Sequence, residues 1–171
     1  MHSADVMATL LDLKREAEER TGGRPAHGVH WAFEAHLLAT EIAQAGVSVV
    51  IAPGKPFPAT FEMRRSIPGS PLTQDLSFTI LLKHGFNVGI GIEQVYLAHS
   101  ARFDMSMTQV KSAGVIDRAT THAMASTNID RVLRLDSRTE ELVAYRGGGV
   151  FDMASKVVAV VSERRGTVEQ F

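Results

Sequence analysis

The sequence has no cysteine. That excludes disulfides, thiolate metal sites and cysteine nucleophiles, and leaves histidine and carboxylate groups as the ligands for any metal. No apolar run approaches the roughly 20 residues of a membrane span, and the N-terminus has no charged-then-apolar leader pattern. A cytoplasmic protein without membrane contact is therefore expected. Neither sign of charge is in excess: 18 Lys and Arg face 19 Asp and Glu, for a net charge of -1. No basic stripe with interleaved aromatics is present, which argues against a nucleic-acid partner. What is present is ordinary for a globular chain, with 44% hydrophobic and 22% charged residues over a length of 171. Such a length supports one domain with a real core and is too short for two large ones.

Residues 3–20 carry Val6, Met7, Leu10, Leu11, Leu13 and Ala17 at helical spacing, with Ser3 or Asp5 near the cap and Gly22 and Gly23 at the end. Residues 27–33 read as a short strand. Residues 34–45 are again helical, with Leu37, Leu38, Ile42 and Ala45 apolar and Gly46 as the stop. The run VSVVIA at 47–52 is continuous and β-branched, as in buried parallel strands. Five of the six prolines then fall between Pro53 and Pro71, a loop that can join neither helix nor sheet. A helix at 73–84, a strand at 86–92 and helices near 103–113, 117–126 and 128–135 follow. Two tail strands, 142–145 and 156–162, are separated by Gly147, Gly148 and Gly149.

Helices alternating with strands mark βα units and a parallel sheet. Their spacing, about 30 to 40 residues, suits either an open doubly wound sheet or part of a (β/α)8 barrel. No glycine-rich phosphate loop follows a strand and opens a helix, which favours the barrel and disfavours nucleotide binding.

Candidate chemistry gathers where strands end. In VGIGIEQVYLAHSARFD, residues 88–104, a strand with two glycines runs into Glu93, the C-terminal position at which parallel sheets and barrels bind ligands. His99 and Arg102 follow. Arg102, and Arg64 and Arg65 of the proline-rich loop, could orient an anionic or carbonyl group or simply face water. His2 stands just before the first helix, where it is either a terminal surface residue or a ligand at the end of a preceding strand. His27 and His30 lie on the next strand. His36, His84 and His122, within helices, read as surface or packing residues.

The order HSADVMATLLDLK, FEAHLLATEIAQAGVSVVIAP, PFPATFEMRRSIPGSPLT, LLKHGFNVGIGIE, ARFD, ATTHAMASTNIDRVLRL and ELVAYRGGGVFDMASKVVAVVSERRGTVEQF, running from His2 to Phe171, resembles the C-terminal part of amidohydrolase-superfamily proteins. The likeness extends to the imidazolonepropionase-like branch and to fungal proteins of the carbohydrate esterase family 9 type. The resemblance implies a metal-dependent (β/α)8 TIM barrel with a small β-sandwich built from both chain ends. In this chain it implies α/β structure comprising about barrel strands 6–8 with their helices over 1–138, and C-terminal strands of the sandwich over 139–171. It also implies His2 as the histidine ligand of the fifth strand and His30 as a further ligand. Glu93 then stands at the eighth-strand position that binds metal and takes a proton from the attacking water. Arg102, Arg64 and Arg65 become substrate-binding residues, and the cofactor a divalent cation such as zinc.

Three departures accompany the resemblance. Glu93 stands where an aspartate is expected, and its extra methylene would shift the carboxylate by more than about 1 Å, a displacement that can cost about 100-fold in rate. Trp31 occupies the sixth-strand histidine position, with His30 one residue away and on the opposite face by strand alternation. The first-strand histidines and the fourth-strand ligand have no counterpart. About half a barrel also leaves open strand edges, so a homo-oligomer or completion by another chain is expected. The reading is a portion of a hydrolase acting on carbon-nitrogen bonds in small molecules (amides, cyclic amides or N-acetyl sugars). The alternative is a degenerate, non-catalytic half-barrel serving as a binding or structural subunit.

Overall fold

The computed structural model describes residues 3–23, 28–30, 32–52, 60–85, 87–92, 94–135 and 141–171, and at Val29, His30 and Glu62 the backbone alone. The chain divides into two compact units, Met1–Arg134 and Leu135–Phe171. The expected boundary near residue 138 lies outside the described residues.

The first unit is mixed α/β. Its opening helix, α1 (Ala4–Thr21), starts where the Ser3 hydroxyl accepts a hydrogen bond from the Asp5 N–H at 3.2 Å. It ends at Gly22, which takes the left-handed conformation (φ 66°) and donates to the Glu18 carbonyl. Strand β1 (Gly28–His30) is followed by a 3-10 turn, Ala35–Leu38, and then by α2 (Ala39–Gln44). The expected single helix over 34–45 is thus a tight turn plus a short α-helix, and the strand is three residues long. Next come β2 (Ser48–Ile51), α3 (Ser77–Lys83) and β3 (Val88–Ile90). Three helices close the unit: α4 (Ala101–Lys111), α5 (Arg118–Ala125) and α6 (Thr127–Leu133). A 3-10 turn at Val95–Ser100 leads into α4, in a stretch whose sequence carries no periodic signal.

The three strands form a parallel sheet in the order β1-β2-β3. The register pairs His30 with Val50 and Val50 with Gly89. Because the strands are parallel, their C-terminal ends share one side of the sheet. Val49, Val50, Ile51, Val88 and Ile90 are all buried, which accounts for an apolar run without alternation. Gly89 of β3 and Gly28 of β1 serve close packing against α6. A Cβ at Gly89 would lie 2.4 Å from Ile129 Cδ1, and one at Gly28 of β1 would lie 2.6 Å from Val132 Cγ1. Two amide bonds fix the same contact: Asn128 Nδ2 donates to the Val88 carbonyl, and Asn87 Nδ2 donates to the Asn128 carbonyl, each at 2.8 Å.

The second unit is an antiparallel sheet of β4 (Glu141–Arg146), β5 (Lys156–Ser162) and β6 (Thr167–Gln170), in that order. The third of these strands was not expected: TVEQ alternates, but it is short and closes on the chain end. Gly147 and Gly148, at φ 84° and 146°, turn the chain out of β4. The Asp152 carboxylate caps the link by accepting from the Gly149 N–H at 2.8 Å. The glycine run therefore joins two strands and opens no helix.

Candidate functional site

Four residues beyond β1, at the C-terminal end of the parallel sheet, Glu34 is completely buried. A buried carboxylate is costly unless paired and hydrogen-bonded. Here both conditions are met. Oε1 accepts from the Arg65 backbone N–H at 3.3 Å and from Arg65 Nε at 3.1 Å, while Oε2 accepts from Arg65 Nη2 at 2.5 Å. Oε2 also accepts from the Ala4 N–H at 3.0 Å. The guanidinium fork thus meets the carboxylate with two parallel bonds, and the first amide of α1 adds the positive end of an 18-residue helix. Burial pushes the Glu34 carboxyl up, but the Arg65 side chain and the Ala4 and Arg65 backbone bonds outweigh it and hold the group below the usual carboxylate range. The same hydrogen bonding holds Arg65 more firmly protonated than an ordinary arginine. Asp5 stands 3.8 Å from Arg65 Nη2 as an outer partner.

His36 lies beside this junction, its Nδ1 3.1 Å from the Ser77 hydroxyl at the start of α3. Burial lowers its pKa against the opposing pull of the Glu34 charge and of the Phe33 and Arg65 backbones. At neutral pH it is a neutral, packed histidine.

The sequence-derived site residues are distributed unevenly around this centre. Arg65 is in it. Arg64, its neighbour, is exposed, lies 3.8 Å over the Phe61 ring and donates through Nη1 to the Phe61 carbonyl at 2.9 Å. Arg102 is the second residue of α4 and is half-buried. His30 ends β1, with its backbone paired to Val50. His99 is exposed in the 3-10 turn, and His84 and His122 are exposed on the surface. His2, His27, Trp31 and Glu93, like the prolines at 53, 56 and 58, lie outside the described residues. Among the described residues, no group of three or more His, Asp or Glu side chains is arranged to hold a metal ion, and no helix is long and apolar enough to cross a membrane.

Glu34 is the residue that sequence reasoning passed over. A signal was available. An acid inside the run Ala32-Phe33-Glu34-Ala35 has apolar neighbours on both sides, and an acid in that setting is buried only with a partner.

No protein-family model matches the chain. The amidohydrolase tasK of Hapsidospora irregularis is 31% identical over 111 aligned residues, taking in 55% of this chain and 11% of that protein. The solved structure of an amidohydrolase from Thermotoga maritima MSB8 superposes with a TM-score of 0.74 at 19% identity, over 100% of this chain and 42% of that one. The chain resembles a portion of an amidohydrolase. The fold of the whole described chain is that of part of the Thermotoga structure, and the match spans about a tenth of the curated relative's length. The Glu34–Arg65 junction lies just beyond the C-terminal end of β1.

Proposed function

We propose that this chain is a portion of a metal-dependent amidohydrolase that hydrolyses carbon-nitrogen bonds, other than peptide bonds, in a small-molecule substrate. The observation that carries the reading is the likeness of the entire chain to part of an amidohydrolase structure, joined to independent sequence similarity to a second amidohydrolase. The parallel sheet is read as a three-stranded arc of a (β/α)8 barrel, and the antiparallel unit as strands of a small sandwich. Amides, cyclic amides and N-acetyl sugars are the substrate classes, with further barrel strands contributed by another chain or another copy.

His2, His30 and Glu93 are the ligands assigned to a divalent cation. Two imidazoles and a carboxylate suit zinc in a chain without cysteine. When bound, such a cation supplies Lewis acidity, polarising a carbonyl and acidifying water. Glu93 is assigned the further task of taking the proton from the attacking water. Arg102 and Arg64 orient the substrate's carbonyl or anionic group, and Arg65 lines the same end of the sheet while held by Glu34.

The test is hydrolysis of N-acetylated sugars and cyclic amides by the chain supplied with zinc. Turnover that disappears in Glu93→Gln sustains the reading. Turnover unchanged by that substitution overturns the role given to Glu93, and a zinc-loaded chain without any turnover favours a non-catalytic subunit.

A further inference from the structure

We propose that the outward side of α1 is a self-association surface, along which two copies of this chain pack antiparallel about a two-fold axis. The inference is independent of the hydrolytic reading, because it uses none of the residues assigned to that site.

One side of α1 is turned into its own unit: Ala4 and Met7 are buried, and Ala8, Leu11, Lys14 and Glu18 are half-buried. About 120° around the helix runs a second apolar line, Val6, Leu10, Leu13 and Ala17, all of it exposed. Val6, Leu10 and Leu13 are 50%, 38% and 53% open to solvent. A single exposed leucine needs no explanation. Steps of four, three and four residues are the spacing of a two-helix seam, and this one extends over about 16 Å of helix.

The line is symmetric about its midpoint, with the two leucines at the centre and Val6 and Ala17 at equal distances from it. Reversing it maps leucine onto leucine, so it complements itself across a two-fold axis. Leu10 of one copy then meets Leu13 of the other, and Val6 meets Ala17. Charge selects the antiparallel direction. The first half of α1 carries Asp5 and Asp12 and no cation, whereas the second half balances Lys14, Arg15 and Arg20 against Glu16, Glu18 and Glu19. Parallel packing would set the two acidic halves side by side. Antiparallel packing avoids this, brings Arg20 of one copy beside Asp5 of the other, and opposes the helix dipoles. Both side chains are largely exposed. One helix pair is a small interface, so association in the micromolar range is expected.

Sedimentation equilibrium of the whole chain over a micromolar concentration series tests the assignment. The expected result for the parent is a reversible dimer. Leu13→Glu puts a carboxylate into the seam and should weaken dimerisation by more than about tenfold, with a melting temperature close to that of the parent because the position is exposed. Leu10→Lys combined with Leu13→Glu should recover the dimer. Antiparallel packing sets the two new charges against each other, whereas parallel packing would set like against like. Leu142→Glu, on the exposed row of the antiparallel sheet, should leave the dimer intact. A parent that stays monomeric, or a dimer that Leu13→Glu leaves unchanged, overturns the proposal. A dimer lost in Leu142→Glu and kept in Leu13→Glu would assign the contact to the sheet instead. A dimer lost in Leu13→Glu and not recovered in the double variant would overturn the antiparallel direction.

Discussion

The two sheets of this chain are built from similar residues and treat them in opposite ways. In the parallel sheet Val49 and Val88 are fully buried; in the antiparallel sheet Leu142 and Val168 are 60% and 64% exposed. Leu142, Val161 and Val168 stand in one cross-strand row, and all three are open to solvent. The difference is not one of hydrophobicity. It lies in what covers each sheet: α6 packs against the first closely enough to require glycines, whereas β4, β5 and β6 keep an apolar row uncovered.

The largest effect should come from filling the closest contact in the first sheet. Gly89→Val places a side chain where Ile129 already stands, 2.4 Å from the new Cβ. Overpacking of this kind costs about 3 kcal/mol, to be read as a fall in melting temperature of about 10 °C. A variant that melts like the parent would show that α6 does not seat on β3 as described.

Next is Glu34→Ala, which strips the Ala4 N–H and the Arg65 guanidinium of their shared acceptor. Loss of hydrogen bonds to a buried charged group costs about 2 kcal/mol, measurable as a lower urea midpoint with an unchanged slope. An unchanged midpoint would mean that the junction contributes nothing to the first unit.

Acid should weaken the first unit in two stages. His36 has a lowered pKa when folded, so the unfolded chain takes up that proton first, and stability begins to fall below about pH 6.5. Glu34 is also lowered when folded. Its contribution is complete above the ordinary glutamate value of about 4.3 and is lost as the pH falls through the folded value. Urea midpoints between pH 8 and pH 3 should decline in both windows, and His36→Phe should flatten the upper one alone.

The smallest effect sharpens the contrast between the sheets. Val168→Thr, on the exposed row, should change stability by less than about 0.5 kcal/mol. Val49→Thr, which buries a hydroxyl, should cost about 2 kcal/mol. Equal losses at the two sites would mean that the antiparallel sheet is covered after all.

Much of this architecture is legible in the sequence, because its strongest signals are local. The cap at Ser3, the left-handed stop at Gly22, and the β-branched run ending at Ile51 each depend on a few adjacent residues. The turn at Ala35–Leu38 reads as α-helix in the sequence because a tight turn and a helix share the same apolar spacing over one turn. Strand β6 was missed because four residues carry too little pattern to compete with the turn before them. Glu34 was missed for a different reason. Its partners, Ala4 and Arg65, are distant in sequence, and no local rule pairs an acid with an amide 30 positions away. Arg65 was legible as a residue of interest, but its engagement with Glu34 was not.

The most direct measurement is the zinc content of the purified chain by elemental analysis, for the parent and for His2→Ala and Glu93→Gln. Close to one zinc per chain is expected in the parent, with a clear loss in both variants. A parent without zinc, or variants that keep it, would contradict the claim that the C-terminal end of the parallel sheet is a metal-dependent hydrolytic centre.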